Sequence, residues 1–363
     1  MVKAAVLYGF GEPLKVESVR LKAPRADEVV VKMVASGVCH SDLSVQQAKL
    51  PVPPPVVLGH EGAGIVEEVG SGVTHVKPGD HVILSWVANC GECHYCAKGT
   101  PHLCDLSTQA MMMGQEAVFE KDGVEITRMA GVGSFAERSV VRATACVKIA
   151  DDIPLDRACL VGCGIMTGVG AAVNTAKVQP GQTVAVFGCG GVGLNTIQGA
   201  ALCGASRIIA VDLNPKKLEM AKQFGATDVI NASGAVDAPM VVKELTGGLG
   251  VDYAFEVVGV PALIAQAFQA LKRGGRVVVV GVPAMGSDVS IPGFSIPLEE
   301  KSVIGSLYGS ANMKRDMPLL CDLYQRGRLK IDELISRRIK LEDVNEAFAA
   351  MEKGEVARSV IIY

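Results

Sequence analysis

The stretch Gly188-Cys189-Gly190-Gly191-Val192-Gly193 limits the possible folds of this chain more than any other. It follows an apolar, strand-like run at 183–187 and opens a helix-like pattern from 191. An acidic residue, Asp212, closes the next strand-like run, 19 residues after Gly193. A bare G-x-G-x-x-G is weak evidence. Between a strand and a helix, with that acidic partner, it marks a dinucleotide-binding βαβ unit. The alternation continues downstream. Strand-like runs recur at 207–211, 228–230, 253–256, 276–280 and 302–307, and helical patterns fall at 216–224, 241–245 and 262–271. Six strands separated by helices predict a doubly wound parallel sheet. The glycines let backbone approach a pyrophosphate seated on the helix N-terminus. Asp212 can accept hydrogen bonds from both adenosine ribose hydroxyls and would repel a 2′-phosphate, which favours NAD over NADP. Lys217 is a second candidate ribose contact.

Before about residue 160 the texture changes to strand-like runs at 29–34, 63–69, 81–84 and 136–141, with Lys77-Pro78-Gly79-Asp80 as a turn. The expected class is therefore α/β, with a β-rich domain over 1–164 and the dinucleotide domain over 165–307. A tail over 308–363, with amphipathic helices at 316–327 and 341–354 and a strand at 359–363, is expected to return to the first domain. Within the β-rich part, Cys90, Cys93, Cys96 and Cys104 are spaced C-x2-C-x2-C-x7-C. Four thiolates that close together can complete a tetrahedral shell around Zn²⁺ with no open position, as a structural site requires. Cys39, His60 and Cys163 each sit in a glycine-bounded stretch that reads as a turn. Their spacing alone does not show that they meet, yet Cys2His with one open position is a catalytic zinc set.

The 363 residues suffice for two domains and a large core. A formal net charge of −3 with no basic stripe argues against nucleic acid as a partner. The opening Met1-Val2-Lys3-Ala4-Ala5-Val6 runs into Gly9, Gly11 and Pro13 instead of an apolar signal core. No apolar run is expected to approach the ~18 residues that cross a bilayer, so no membrane partner is expected. The 11 cysteines then read as metal ligands plus buried thiols of a reducing cytoplasm, with Cys146, Cys159, Cys189, Cys203 and Cys321 as small apolar residues.

Gly37-Val38-Cys39-His40-Ser41-Asp42, Gly59-His60-Glu61-Gly62-Ala63-Gly64, the four-cysteine run, Gly162-Cys163-Gly164-Ile165-Met166-Thr167-Gly168 and the glycine loop follow one another in a familiar order. Over nearly its whole length the chain resembles the zinc-dependent medium-chain alcohol dehydrogenases, nearest to the branch of liver-type and glutathione-dependent enzymes. The resemblance implies an N-terminal GroES-like catalytic domain and a Rossmann coenzyme domain. It implies two zinc ions per chain, one catalytic and one structural, together with NAD. By that resemblance Cys39, His60 and Cys163 hold the catalytic zinc, and Glu61 lies just behind it as a transient ligand. Asp42 orients the His60 imidazole. Ser41 is the hydroxyl that takes the alcohol proton. His40 and Arg358 lie at the cofactor pyrophosphate. Thr167, Val192, Val280 and Val282 join Gly188, Gly190, Gly191, Gly193, Asp212 and Lys217 around the cofactor. The implied activity is reversible oxidation of primary, aromatic or medium-chain alcohols to aldehydes.

The same alignment lines a substrate slot with Leu50, Trp86, Leu106, Met129, Val282 and Leu307. The slot is apolar, and Trp86 would crowd branched carbinol carbons. Met111-Met112-Met113 read as buried packing in preference to a pocket mouth. Two departures stand out. Many relatives carry a histidine three residues past the relay hydroxyl, and here that position is Ser44. The acidic and basic anchors for glutathione fall at Leu50 and about Thr108. Three alternatives remain: S-(hydroxymethyl)glutathione dehydrogenase, a nicotinoprotein that keeps its NAD bound, and a non-catalytic dinucleotide sensor. The complete ligand set argues against the last. The segment at 105–131 is long, as the resemblance implies for dimeric relatives, and the edge strand at 302–307 offers unpaired backbone, so a homodimer is expected.

Overall fold

Glu28–Val38, with five valines among its 11 residues, forms a strand that is buried along most of its length. It pairs antiparallel with Glu61–Val69, Arg138–Arg142 and Arg358–Ile362. Around it runs a sheet in the order Cys146–Lys148, His81–Leu84, Glu61–Val69, Glu28–Val38, Arg358–Ile362, Ile335–Ile339. Beside this sheet Val2–Leu7, Lys15–Leu21, Phe119–Lys121, Val124–Arg128 and Val56–Val57 close a small barrel. The computed structural model describes residues 1–113, 116–354 and 358–363, with the backbone alone for 111–113. It divides into one unit of Met1–Gly164 with Asn312–Tyr363 and a second of Ile165–Ala311. The core of the first unit joins barrel residues such as Val6, Leu7, Phe119 and Ile126 to Val344 and Phe348 of the later helix Val344–Glu352.

The second unit is a six-stranded parallel sheet. Its order is Asp228–Asn231, Arg207–Asp212, Thr183–Phe187, Val251–Glu256, Leu271–Val279, Ser302–Gly305. The order reverses between Thr183–Phe187 and Val251–Glu256, the place where open α/β sheets bind ligands at the carboxyl ends of their strands. The helices Gly191–Leu202, Pro215–Gln223, Ala238–Leu245 and Pro261–Gln269 fall between these strands in the chain. All six expected strands are present, several of them longer or shorter by a few residues.

Two expectations need correcting. The stretch holding Cys163 is not a turn. It lies in a continuous helical run, Leu155–Ala176, as a π-helical segment Val161–Ile165. Glycines that read as turn signals serve close packing instead. A Cβ on Gly162 would stand 3.0 Å from the Leu84 carbonyl oxygen, and one on Gly164 would stand 2.2 Å from Arg358 Nη2. The same run also corrects the expected lack of long apolar stretches, because its 22 residues are long and apolar enough to span a bilayer. Its most apolar window is 72% buried within the protein, which is how the core helix of a folded domain behaves. The Met111-Met112-Met113 expectation concerns side chains outside the described residues.

Candidate functional site

The strand Glu28–Val38 ends directly before Cys39, which caps the helix His40–Gln46. Asp42, wholly buried at the third helical position, closes that cap: Cys39 N donates to Asp42 Oδ2 at 3.0 Å. The same carboxylate reaches the next segment. Gly59 N donates to Oδ1 at 3.0 Å, and His60 Nδ1 lies 3.0 Å from that oxygen. In the neutral ring that gives its Nδ1 proton to Asp42, His60 Nε2 carries a lone pair, and this atom is buried with no hydrogen-bond partner. One carboxylate thus fixes two segments and the tautomer of an imidazole, the arrangement that raises a metal ligand's basicity.

The structure brings together Cys39, His60, Glu61 and Cys163, which are scattered in sequence. One donor atom from each lies within 4.8 Å of all the others. The neighbouring Cys163 thiol, hydrogen-bonded to Cys39, holds the Cys39 thiol well below its usual range despite burial. Cys163 is correspondingly pushed up. Burial works to lower His60, yet Asp42 and Cys39 hold it well above its ordinary value. Burial pushes Glu61 up to about 7, with Arg358 pulling the other way. Glu61 Oε1 accepts from Gly164 N at 3.2 Å and faces Arg358 Nη1 at 3.5 Å, while Oε2 is buried without a partner. Two soft thiol donors, an unpaired imidazole nitrogen and a carboxylate converging in a buried space fit a zinc ion.

The four-cysteine run forms a second cluster. Its sulfurs lie 3.9 Å apart for Cys90–Cys96 and 3.9 Å for Cys93–Cys104. A tetrahedron with Zn–S near 2.3 Å has edges of about 3.8 Å, so this shell fits zinc as well. Cys90 N points at Cys104 Sγ (3.2 Å) and Cys93 N at Cys90 Sγ (3.3 Å), which suits sulfurs that carry negative charge. All 11 cysteines are free of disulfides.

In the other unit, Gly188 has φ +101° and Gly190 caps the helix Gly191–Leu202. A Cβ on Gly193 would fall 1.9 Å from the Gly188 carbonyl oxygen, and one on Gly188 would fall 2.5 Å from Val258. Gly190, by contrast, faces open space. The loop is therefore closed on itself and open on one side, as a cradle for a pyrophosphate must be. Asp212 stands at the end of its strand and accepts from Cys189 N at 2.7 Å and Asn214 N at 2.9 Å. Each oxygen retains a lone pair for a ribose hydroxyl. Lys217 lies in the first turn of Pro215–Gln223. Val192 follows in the loop helix, Thr167 lies in Met166–Gly170, and Val280 donates its N–H to Glu256 O at 2.8 Å.

Ser41 Oγ lies 3.9 Å from Cys39 Sγ, and His40 is exposed at the start of the same helix. Leu50 packs with Met129 against the barrel core, whereas Trp86 and Leu106 border a separate cavity of about 20 Å³. Val282 and Leu307, in the other unit, are exposed. Sequence reasoning missed the pairing of Arg358 with Glu61 and the part played by Ser134, which packs against the Gly59–Gly62 segment where it enters the strand. The one available signal was the pair of glycines that brackets His60-Glu61.

Residues 25–151 match the alcohol dehydrogenase GroES-like domain and residues 191–326 the zinc-binding dehydrogenase domain. The chain is 42% identical to the NDMA-dependent alcohol dehydrogenase of Amycolatopsis methanolica, covering 99% of this chain and 98% of that one. It is also 42% identical to the S-(hydroxymethyl)glutathione dehydrogenase of Saccharomyces cerevisiae, covering 99% and 95%. Among solved structures, the benzyl alcohol dehydrogenase of Acinetobacter calcoaceticus superposes with a TM-score of 0.93 at 36% identity, covering 99% of both chains.

Proposed function

Because this chain belongs to the zinc-dependent medium-chain alcohol dehydrogenases, we propose that it oxidises primary aromatic or medium-chain alcohols to aldehydes, reversibly, with NAD as hydride acceptor. The observation that carries this reading is the convergence of Cys39, His60 and Cys163 in a buried donor set. In this reading those three residues hold the catalytic zinc, which supplies Lewis acidity toward the alcohol oxygen, and Cys90, Cys93, Cys96 and Cys104 hold the structural one. Ser41 takes the alcohol proton. Asp42 keeps the imidazole in its binding tautomer. Glu61 and Arg358 form a buried pair behind the thiols, and Arg358 with His40 serves the cofactor pyrophosphate. Met1–Gly164 with Asn312–Tyr363 is the catalytic domain and Ile165–Ala311 the NAD domain. We place the enzyme in the cytoplasm as a homodimer.

A primary, apolar alcohol is favoured by the similarity to a benzyl alcohol dehydrogenase. Leu50 and Thr108, where charged anchors would be needed, weigh against a glutathione adduct. A second reading, an enzyme that keeps its NAD bound, draws on the NDMA-dependent relative and on Ser44 in place of a relay histidine. The test is an initial-rate panel of primary, secondary and aromatic alcohols, and formaldehyde with glutathione, each with NAD and NADP. Fast benzyl alcohol oxidation with NAD supports the first reading. Activity confined to the glutathione adduct overturns it. Nucleotide released only on denaturing the purified protein, with turnover needing an added acceptor, moves the assignment to the second.

A further inference from the structure

The two glycines that bracket His60-Glu61 are filled by one side chain. A Cβ on Gly59 would lie 2.6 Å from Ser134 Oγ, and one on Gly62 would lie 2.9 Å from Ser134 Cβ. Ser134 is fully buried in this notch, and its hydroxyl pairs with the equally buried Ser36 at 2.7 Å. Its backbone pins the same segment: Ser134 N donates to Gly59 O at 3.0 Å, and Phe135 N donates to Leu58 O at 3.0 Å. On its far side, the Tyr363 hydroxyl donates to Ser134 O at 2.5 Å, and Tyr363 N donates to Val34 O at 3.1 Å. The Tyr363 ring packs against two core clusters of this unit.

We propose that Tyr363 and Ser134 are positioning residues for His60, forming a strut that holds the Gly59–Gly62 segment, the entry to the strand Glu61–Val69, from the side opposite Asp42. The segment is clamped between two supports. Asp42 takes the Gly59 N–H and the imidazole N–H. Ser134 takes the Gly59 carbonyl, and its own carbonyl is fixed by Tyr363. The peptide unit between Leu58 and Gly59 is held at its C=O by Phe135 N and at its N–H by Asp42, and the next carbonyl, that of Gly59, is held by Ser134 N, so the backbone leading into His60 is fixed on both sides and helps set the direction of Nε2. Loss of the Tyr363 hydroxyl leaves a buried carbonyl short of a donor and frees one end of the clamp. The side chain is remote from any reacting atom, so its effect passes through the ligand.

This inference rests on the reading of Cys39, His60 and Cys163 as a zinc site, and the test separates the two. The zinc-loaded full-length protein is challenged with a chromogenic chelator, and zinc release is followed alongside total zinc by mass spectrometry. In the wild type, two zinc ions per chain should leave in separate phases. Tyr363→Phe keeps the ring and its packing. It should speed one phase by about three- to tenfold, below the ~10–100-fold seen when a direct partner of a ligand is removed. The other phase, from the four-cysteine lobe, should be unchanged. Ser36→Ala, which removes the partner of Ser134 Oγ, should act on the same phase, and Ser36→Thr should restore it. Unchanged phases in both variants overturn the strut. So does equal acceleration of both phases with a lowered melting temperature, since that reports general loosening. A wild type that holds only one zinc refutes the underlying site instead.

Discussion

Ser44 stands where the family resemblance leads one to expect a relay histidine. Its hydroxyl has no pKa near neutrality, so it cannot serve as the base that ends a proton relay. If Ser41, one residue beyond the helix start and 3.9 Å from Cys39 Sγ, takes the alcohol proton as proposed, it must pass that proton to water. Ser41→Ala should lower kcat for alcohol oxidation by roughly 10²–10⁴, the usual cost of losing an acid–base group. Ser44→Ala should cost far less, since water can replace a bridging hydroxyl. Steady-state rates across pH 6–9 for both variants check this, and equal losses would route the proton through Ser44. A second residue-scale expectation concerns Glu28. Burial would raise its pKa, but hydrogen bonds from Arg25 and the charge of Arg128 outweigh burial and depress it. A carboxyl depressed in the folded state adds stability above its unfolded pKa of ~4.3 and loses it as pH falls through the lower folded value. Glu28→Gln should therefore reduce stability at pH 7 and flatten its dependence between about pH 5 and 3. Urea melts at intervals across that window measure it, and a parallel offset between the two proteins would contradict it.

At the scale of elements, Gly193 opens a helix and also closes the loop before it. A Cβ there meets the backbone oxygen of Gly188 at 1.9 Å, which no side-chain rotation can relieve. Gly193→Ala should destabilise the Rossmann unit by about 2 kcal/mol or more and weaken NADH binding at least in proportion. Zinc in the four-cysteine lobe should remain. Titration of NADH fluorescence together with zinc analysis tests this, and wild-type NADH affinity would sink it. The elements legible in the sequence were those whose pattern is set by burial along a single segment. Thr183–Phe187 and Arg207–Asp212 are apolar runs ending at a glycine loop and an acid, and they can be read without their neighbours. Leu155–Ala176 was not legible, because Gly162, Gly164, Gly168 and Gly170 look like turn signals. Their reason lies in other segments. Besides Leu84 and Arg358, a Cβ on Gly168 would meet Val192 O at 2.4 Å, and one on Gly170 would meet Gly309 O at 2.5 Å. The clustered donors proposed as zinc ligands were recognisable by residue type and motif, though not their meeting in space. The Asp42 bonds to two backbone N–H groups and the Ser134 notch were not, because both are contacts between segments distant in sequence.

For the whole molecule, the exposed edge of the Rossmann sheet carries the expectation of a partner. Among the described residues Ser302–Gly305 pairs on one side only, and Val303 on it is 41% exposed. Phe294 and Leu298, just before it, are 75% and 65% exposed. An open edge beside large apolar side chains invites aggregation unless a second copy covers it. Light scattering on the purified protein should give twice the chain mass, and Val303→Lys should shift it toward the monomer. A monomer or tetramer in the wild type would exclude this arrangement. The pairing of Glu28–Val38 with Arg358–Ile362 has a different consequence, one of time. A growing chain leaves the ribosome N-terminus first, and its domains fold in that order. The ligands of the four-cysteine lobe emerge together and can take up metal at once. The Cys39–His60–Cys163 pocket lacks Arg358, and the strand that carries it, until all of Ile165–Ala311 has been made. If that pocket holds the catalytic zinc as proposed, its surroundings are completed last, well after the four-cysteine lobe can close.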